Sequence, residues 1–129
     1  MIILDSSFAI DYLRGKPEAK KIYEKISKED FIYTTIFTYQ EVTFLPIERD
    51  NDNELAEVNS FFEKIKVLYP TKSSMIRTNR IISYLKKKGS IIGNIDCLIA
   101  GIAIEKNAKL LTFNKKDFEK IPNIALYLV

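Results

Sequence analysis

The chain contains no histidine and a single cysteine, Cys97. Without histidine, Ser-His-Asp hydrolysis, Cys-His chemistry, His-ligated zinc and paired-histidine RNA cleavage are all excluded. One cysteine cannot build an internal disulfide framework, and its presence alone fits a reducing interior. Its place in the apolar run from Ile95 to Ile104 marks a buried thiol rather than a nucleophile. There is no Gly-x-x-x-x-Gly-Lys-Ser/Thr loop and no Gly-x-Gly-x-x-Gly, so the usual nucleotide-binding readings fall away as well. No stretch approaches the roughly 18 uninterrupted apolar residues of a membrane span. The apolar start at Met1 is broken by Asp5 and Asp11 and lacks a preceding basic segment. It does not read as a signal peptide, and a cytoplasmic location is the expectation.

What remains is an ordinary globular composition, 47% hydrophobic and 29% charged over 129 residues, enough for one domain spanning 1–129 with a real core. The net charge of +3 is compatible with a polyanionic partner without requiring one. With histidine absent, carboxylates are the natural place to look for chemistry.

Hydrophobic periodicity predicts strands at Met1–Leu4, Phe31–Thr35, Lys66–Tyr69, Lys109–Phe113 and Ile124–Leu128. Helices are predicted at Ser6–Arg14, from Pro17 onward, through Glu41 to a disturbance or end at Pro46, and at Glu54–Lys66, Ser73–Lys88 and Asn94–Asn107. A loop containing Pro122 precedes the last strand. Pairs of helices between successive strands imply a parallel sheet covered on both faces.

Four acids recur where such a fold binds ligands, at the carboxyl ends of its strands. Asp5 ends the first strand, Glu41 lies in the helix after the second, Asp96 stands near the start of the helix before the fourth, and Asp117 follows the fourth. Packed together, carboxylates repel, and one takes up a proton unless a cation intervenes. Mg²⁺ or Mn²⁺ suits such a donor set, leaving positions for water and substrate phosphate. That describes a metal-dependent phosphodiesterase. Each acid also has a plainer explanation: Asp5 or Asp96 as a helix N-cap, Glu41 as a solvated helix residue, Asp117 as loop charge beside Lys115 and Lys116.

The motifs resemble those of the PIN domain, and specifically of the VapC-like toxins of prokaryotic toxin–antitoxin pairs. Ile3-Leu4-Asp5-Ser6-Ser7 is similar to the family's first strand and its acid. Thr38-Tyr-Gln-Glu41 resembles its Thr-x-x-Glu helix, and Gly93-Asn-Ile-Asp96-Cys-Leu-Ile-Ala100 the helix bearing the third acid. Leu111-Thr-Phe-Asn114-Lys-Lys-Asp117-Phe118 resembles the motif after the fourth strand, and Ile121-Pro-Asn-Ile124 the usual approach to the last strand. The resemblance spans essentially the whole chain. It implies a three-layer α/β/α fold with a central, mostly parallel five-stranded sheet, and a Mg²⁺- or Mn²⁺-dependent ribonuclease. Asp5 and Asp96 would be the principal ligands, with Glu41 completing the cluster. Many relatives carry Asp where this chain has Asn114, so Asp117 would serve instead, with Asn114 offering a neutral oxygen. Ser7 replaces a frequent Asn and Asn94 a frequent Asp. Ser6 could hydrogen-bond a carboxylate of the cluster.

The family also implies a homodimer silenced by a VapB-like antitoxin whose tail enters the acidic groove, often presenting an Arg there. Two other readings stand beside the toxin: a PIN nuclease of RNA processing without an antitoxin, and a catalytically inactive binding module, to which Asn94 and Asn114 lend support. Lys86-Lys-Lys88, Lys115 and Lys116 could track an RNA backbone, although basic residues at a helix end also answer the macrodipole. Tyr12, Tyr39 and Tyr84 could stack on bases, while packing is the expectation for most of the aromatics.

Overall fold

A computed structural model describes residues 1–128. Strand β1 (Ile2–Leu4) is buried along its whole length. Asp5 stops it and caps helix α1 (Ser6–Leu13), its carboxylate accepting from the Phe8 N–H. The left-handed Gly15, at φ +77°, turns the chain, and Pro17 opens α2 (Pro17–Glu29), whose Ala19, Ile22 and Ile26 are buried. Strand β2 (Ile32–Thr35) runs directly into α3 (Ile36–Glu48), with Thr35 as its N-cap. Asn51 caps α4 (Asp52–Glu63), which leads to β3 (Lys66–Leu68). A capping box at Thr71 and Ser74 starts α5 (Lys72–Lys87). Helix α6 (Asn94–Glu105), strand β4 (Lys109–Leu111), the short helix α7 (Lys115–Phe118) and β5 (Ala125–Leu126) complete the order.

The sheet is parallel throughout, in the order β3-β2-β1-β4-β5. Leu4 pairs with Thr34 on one side and with Leu111 on the other, so the carboxyl ends of the three central strands lie level. Two cores sandwich it. Ile3, Leu110, Ile99, Ile102 and Phe118 anchor one; Leu4, Phe8, Ile26, Phe61 and Leu111 anchor the other. Helices on both faces explain why the strands are continuous apolar runs rather than alternating ones. No described helix is long and apolar enough to cross a membrane.

Four features depart from the sequence reading. Helix α3 runs through Pro46 to Glu48, because Pro46 is buried and costs one backbone hydrogen bond near the helix end without stopping it. The predicted helix over Glu54–Lys66 starts at Asp52 and ends at Glu63. Asn114–Phe118 is not pure loop but contains α7. Strand β4 is also shorter than its apolar run, since Thr112 and Phe113 leave the ladder at the rim, and β5 spans only Ala125–Leu126.

Candidate active site

Asp5 is 3% exposed, an unusual place for a carboxylate. Its Oδ1 accepts from the Phe8 N–H at 3.0 Å and the Ser7 hydroxyl at 2.7 Å, and Thr112 donates its hydroxyl to Oδ2 in a short bond. Burial pushes its carboxyl up; the donors from Thr112, Phe8 and Ser7 work against that, and the charge of Glu41 adds to the rise. Asp5 therefore does two things at once: it caps α1 and stands in an acidic cluster.

Glu41 reaches the cluster through α3. Thr34 and Thr38, both fully buried, donate their hydroxyls to the Leu4 carbonyl at 2.9 and 3.5 Å, fixing the start of α3 to the end of β1. One turn on, Glu41 is solvent-exposed and accepts from the Ser6 hydroxyl at 2.5 Å. The Thr-x-x-Glu spacing thus has a mechanical sense: the threonine anchors the helix and the glutamate faces the same rim.

Asp96 sits in the first turn of α6, whose N-cap is Gly93; the N-cap alternative for Asp96 does not hold. Its carboxyl is pushed up to about 6, first by burial and then by the charges of Asp5, Glu41 and Asp117. The same burial, with Asp96 beside it, raises the thiol of Cys97, which is fully buried. Asp117, on α7, accepts from the Asn114 side-chain amide at 3.1 Å and has Lys120 at 3.9 Å. The other three predicted acids, Asp5, Glu41 and Asp117, are all close enough for their charges to act on Asp96.

Two supporting residues were not foreseen in their full role. Thr112 holds Asp5 and also accepts from the Asn114 N–H at 2.9 Å. Ser7, read only as a departure from the family pattern, bonds Asp5 and accepts from the Phe113 N–H at 2.9 Å, stapling α1 to the end of β4. The signal for Thr112 lay in the register: with Leu4 opposite Leu111, the next residues, Asp5 and Thr112, must face each other across the rim. Of the aromatics, Tyr12 packs against Tyr23 and Phe61, and Tyr39 bonds Asn59 and stacks edge-on with Phe62. Tyr84 remains exposed.

The donor set is all oxygen and carries more negative charge than its neighbours balance: among the described residues, ion pairs include neither Asp5, Glu41 nor Asp96. That chemistry fits a hard divalent cation. Among the described residues no three acids stand ready as a closed cage; Asp5 and Glu41 are turned toward hydroxyls and Asp117 toward the Asn114 amide. Glu41 and Asp117 lie toward solvent, where rotation is cheap.

A parallel α/β domain with a buried acid at the end of β1 and three more around it defines a carboxylate-site protein of the carboxyl-edge type. A model of the PIN domain matches residues 2–124. The chain belongs to the PIN domain family. Ribonuclease VapC1 of Haemophilus influenzae (strain R2866) is 29% identical over 126 residues, covering 95% of this chain and 92% of that one. Ribonuclease VapC1 of Methanocaldococcus jannaschii is 31% identical over 125 residues, covering 97% and 84%. The crystal structure of VapBC2 from Rickettsia felis bound to a DNA fragment from their promoter contains a chain that superposes with a TM-score of 0.90 at 25% identity, over 98% of each chain.

Proposed function

We propose that this chain is a Mg²⁺- or Mn²⁺-dependent endoribonuclease and the toxin of a VapBC-type pair. The observation that carries the reading is the convergence of Asp5, Glu41, Asp96 and Asp117, from four separate elements, at one rim of a PIN domain whose relatives are VapC ribonucleases. Asp5 and Asp96 would hold the cation, with Glu41 and Asp117 completing the site and Asn114 beside them. A divalent ion held there would supply charge to neutralise a phosphate and lower the pKa of water.

The chain's own residues do the positioning. Thr112, Ser7 and the Phe8 N–H hold Asp5 in one orientation and oppose the upward push that burial gives its carboxyl. Ser6 turns Glu41 toward the rim, from which it can orient the attacking water. Asn114 steers Asp117.

A VapB-like antitoxin is the proposed partner. A cavity of about 540 Å³ between α1, α3 and α4 is lined by Ile10, Leu13, Val42, Leu45 and Val58, and Glu41 forms part of its wall. An apolar segment seated there would bring a following basic residue to the acidic rim. The decisive experiment is cleavage of a mixed RNA pool by purified protein with Mn²⁺ or Mg²⁺, with and without EDTA, beside Asp5→Asn and Asp96→Asn. Metal-dependent cutting lost in both variants supports the nuclease and its site. Cutting that survives both substitutions refutes the assignment of these residues.

A further inference from the structure

The turn between α5 and α6 carries a surface that the acidic site does not use. Lys86 and Lys87 close α5 and Lys88 caps it. The Gly89 N–H bonds the Lys86 carbonyl at 3.1 Å and the Ser90 N–H the Leu85 carbonyl at 2.9 Å, so the turn is tied back onto the helix. Gly89, at φ +69°, makes the reversal possible. Beyond it Ile92 is buried at 9% exposure while its neighbour Ile91 is 92% exposed, the most solvent-exposed large apolar side chain among the described residues. Lys86, Ser90, Ile91 and Asn94 line one hollow of about 160 Å³, and Lys88 Nζ lies 5.7 Å from the centre of the exposed Tyr84 ring. Two residues past Asn94 stands Asp96.

The macrodipole accounts for lysines at a helix end, but not for an isoleucine held out in water on a tethered turn. Among the described residues none of the three lysines is in an ion pair. Unpaired cations, an exposed ring and an apolar tip beside an acidic cutting site match what a single-stranded nucleic acid presents: a phosphate chain and unstacked bases.

We propose that the α5–α6 turn grips the single-stranded RNA flanking the cut, Lys86–Lys88 on its phosphates and Ile91 against a base. This rests on the ribonuclease reading above. The test measures binding of a short fluorescein-labelled single-stranded RNA across a salt series. It uses full-length protein in an uncut Asp96→Asn background with Mg²⁺.

Each lysine on a phosphate contributes about 0.7 to the slope of log affinity against log salt. Lys86→Gln/Lys87→Gln/Lys88→Gln is therefore expected to flatten that slope by about 2, and the corresponding triple arginine variant to restore it. Ile91→Ser is expected to weaken binding about fivefold with the slope unchanged. If wild-type protein cuts RNA and the slope is the same in the triple glutamine variant, the turn's role is refuted while the nuclease stands. If the substitutions alter sedimentation of the protein alone and leave RNA binding intact, the turn is a contact between copies, and the proposal is likewise overturned. If metal-loaded wild type cuts no RNA at all, the nuclease reading itself fails.

Discussion

Asp96 shows what a half-buried carboxylate among other acids costs the fold. Burial and three neighbouring negative charges raise its carboxyl to about 6, so in the metal-free protein the folded state holds a proton more tightly than the unfolded state does. With a folded pKa above the unfolded value, the unfolded state binds fewer protons between the two, and stability falls as pH rises through that window. Thermal melts in EDTA are expected to show a higher Tm near pH 5 than at pH 7.5, and Asp96→Asn is expected to reduce the difference. The same variant should be the more stable protein in EDTA at neutral pH and the inactive one with metal. Thr112 acts through Asp5: Thr112→Val is expected to lower metal-dependent cleavage by roughly 10–100-fold, the range for groups that orient a ligand. Thr112→Ser, which keeps the hydroxyl, should retain most of it. Asp5 and Asp96 stand out in the sequence because one ends an apolar run and the other interrupts one, whereas Glu41 and Asp117 stand out only by their place after the strands and by the family motifs. Thr112 does not stand out, because its importance comes from facing Asp5 across two strands distant in sequence.

Helices α5 and α6 make the most intimate contact between elements. A Cβ at Gly101 would meet the Thr78 hydroxyl at 2.3 Å and the Ser74 carbonyl at 2.8 Å. Both partners are buried, and the Thr78 hydroxyl bonds the Ser74 carbonyl at 2.9 Å, so neither can yield. Gly101→Ala is expected to destabilise the protein by about 1–3 kcal/mol despite its better helix propensity, read as a Tm lower by roughly 5–10 °C. Because α6 carries Asp96 and α5 leads into the basic turn, displacement here would also loosen the site. Element type followed from hydrophobic period, and the opening of α2 at Pro17 followed from local chemistry. Passage of α3 through Pro46 did not: the cost of a proline inside a helix is offset by burial of its ring, and burial is not visible in a local window.

For the whole molecule, the two cores, the acidic rim and the cavity beside it form one piece, with α1 and α3 shared between cavity and site. A partner filling that cavity and a metal entering the rim are therefore expected to compete or to couple through Glu41. Protein purified from its native source is expected to bring down a small antitoxin-like protein and to cut RNA poorly until that protein is removed. Leu45→Glu, in the cavity wall and outside the acid cluster, is expected to abolish capture of that partner and leave RNA cleavage by the free protein unchanged. Retained capture would place the partner elsewhere.

Local chemistry by itself determined the alternation of strands and helix pairs, the parallel sheet this implies, and the conspicuousness of Asp5 and Asp96, because periodicity and charges against apolar runs are properties of neighbouring residues. Tertiary structure alone decided that Leu4 lies opposite both Thr34 and Leu111, and hence that Thr38 can anchor the helix bearing Glu41 and that Thr112 and Ser7 can hold Asp5. Strand order and register bring together residues more than a hundred positions apart, as Ser7 and Thr112 are. Side-chain hydrogen bonds depend on distances of a few ångströms that only the packed sheet sets.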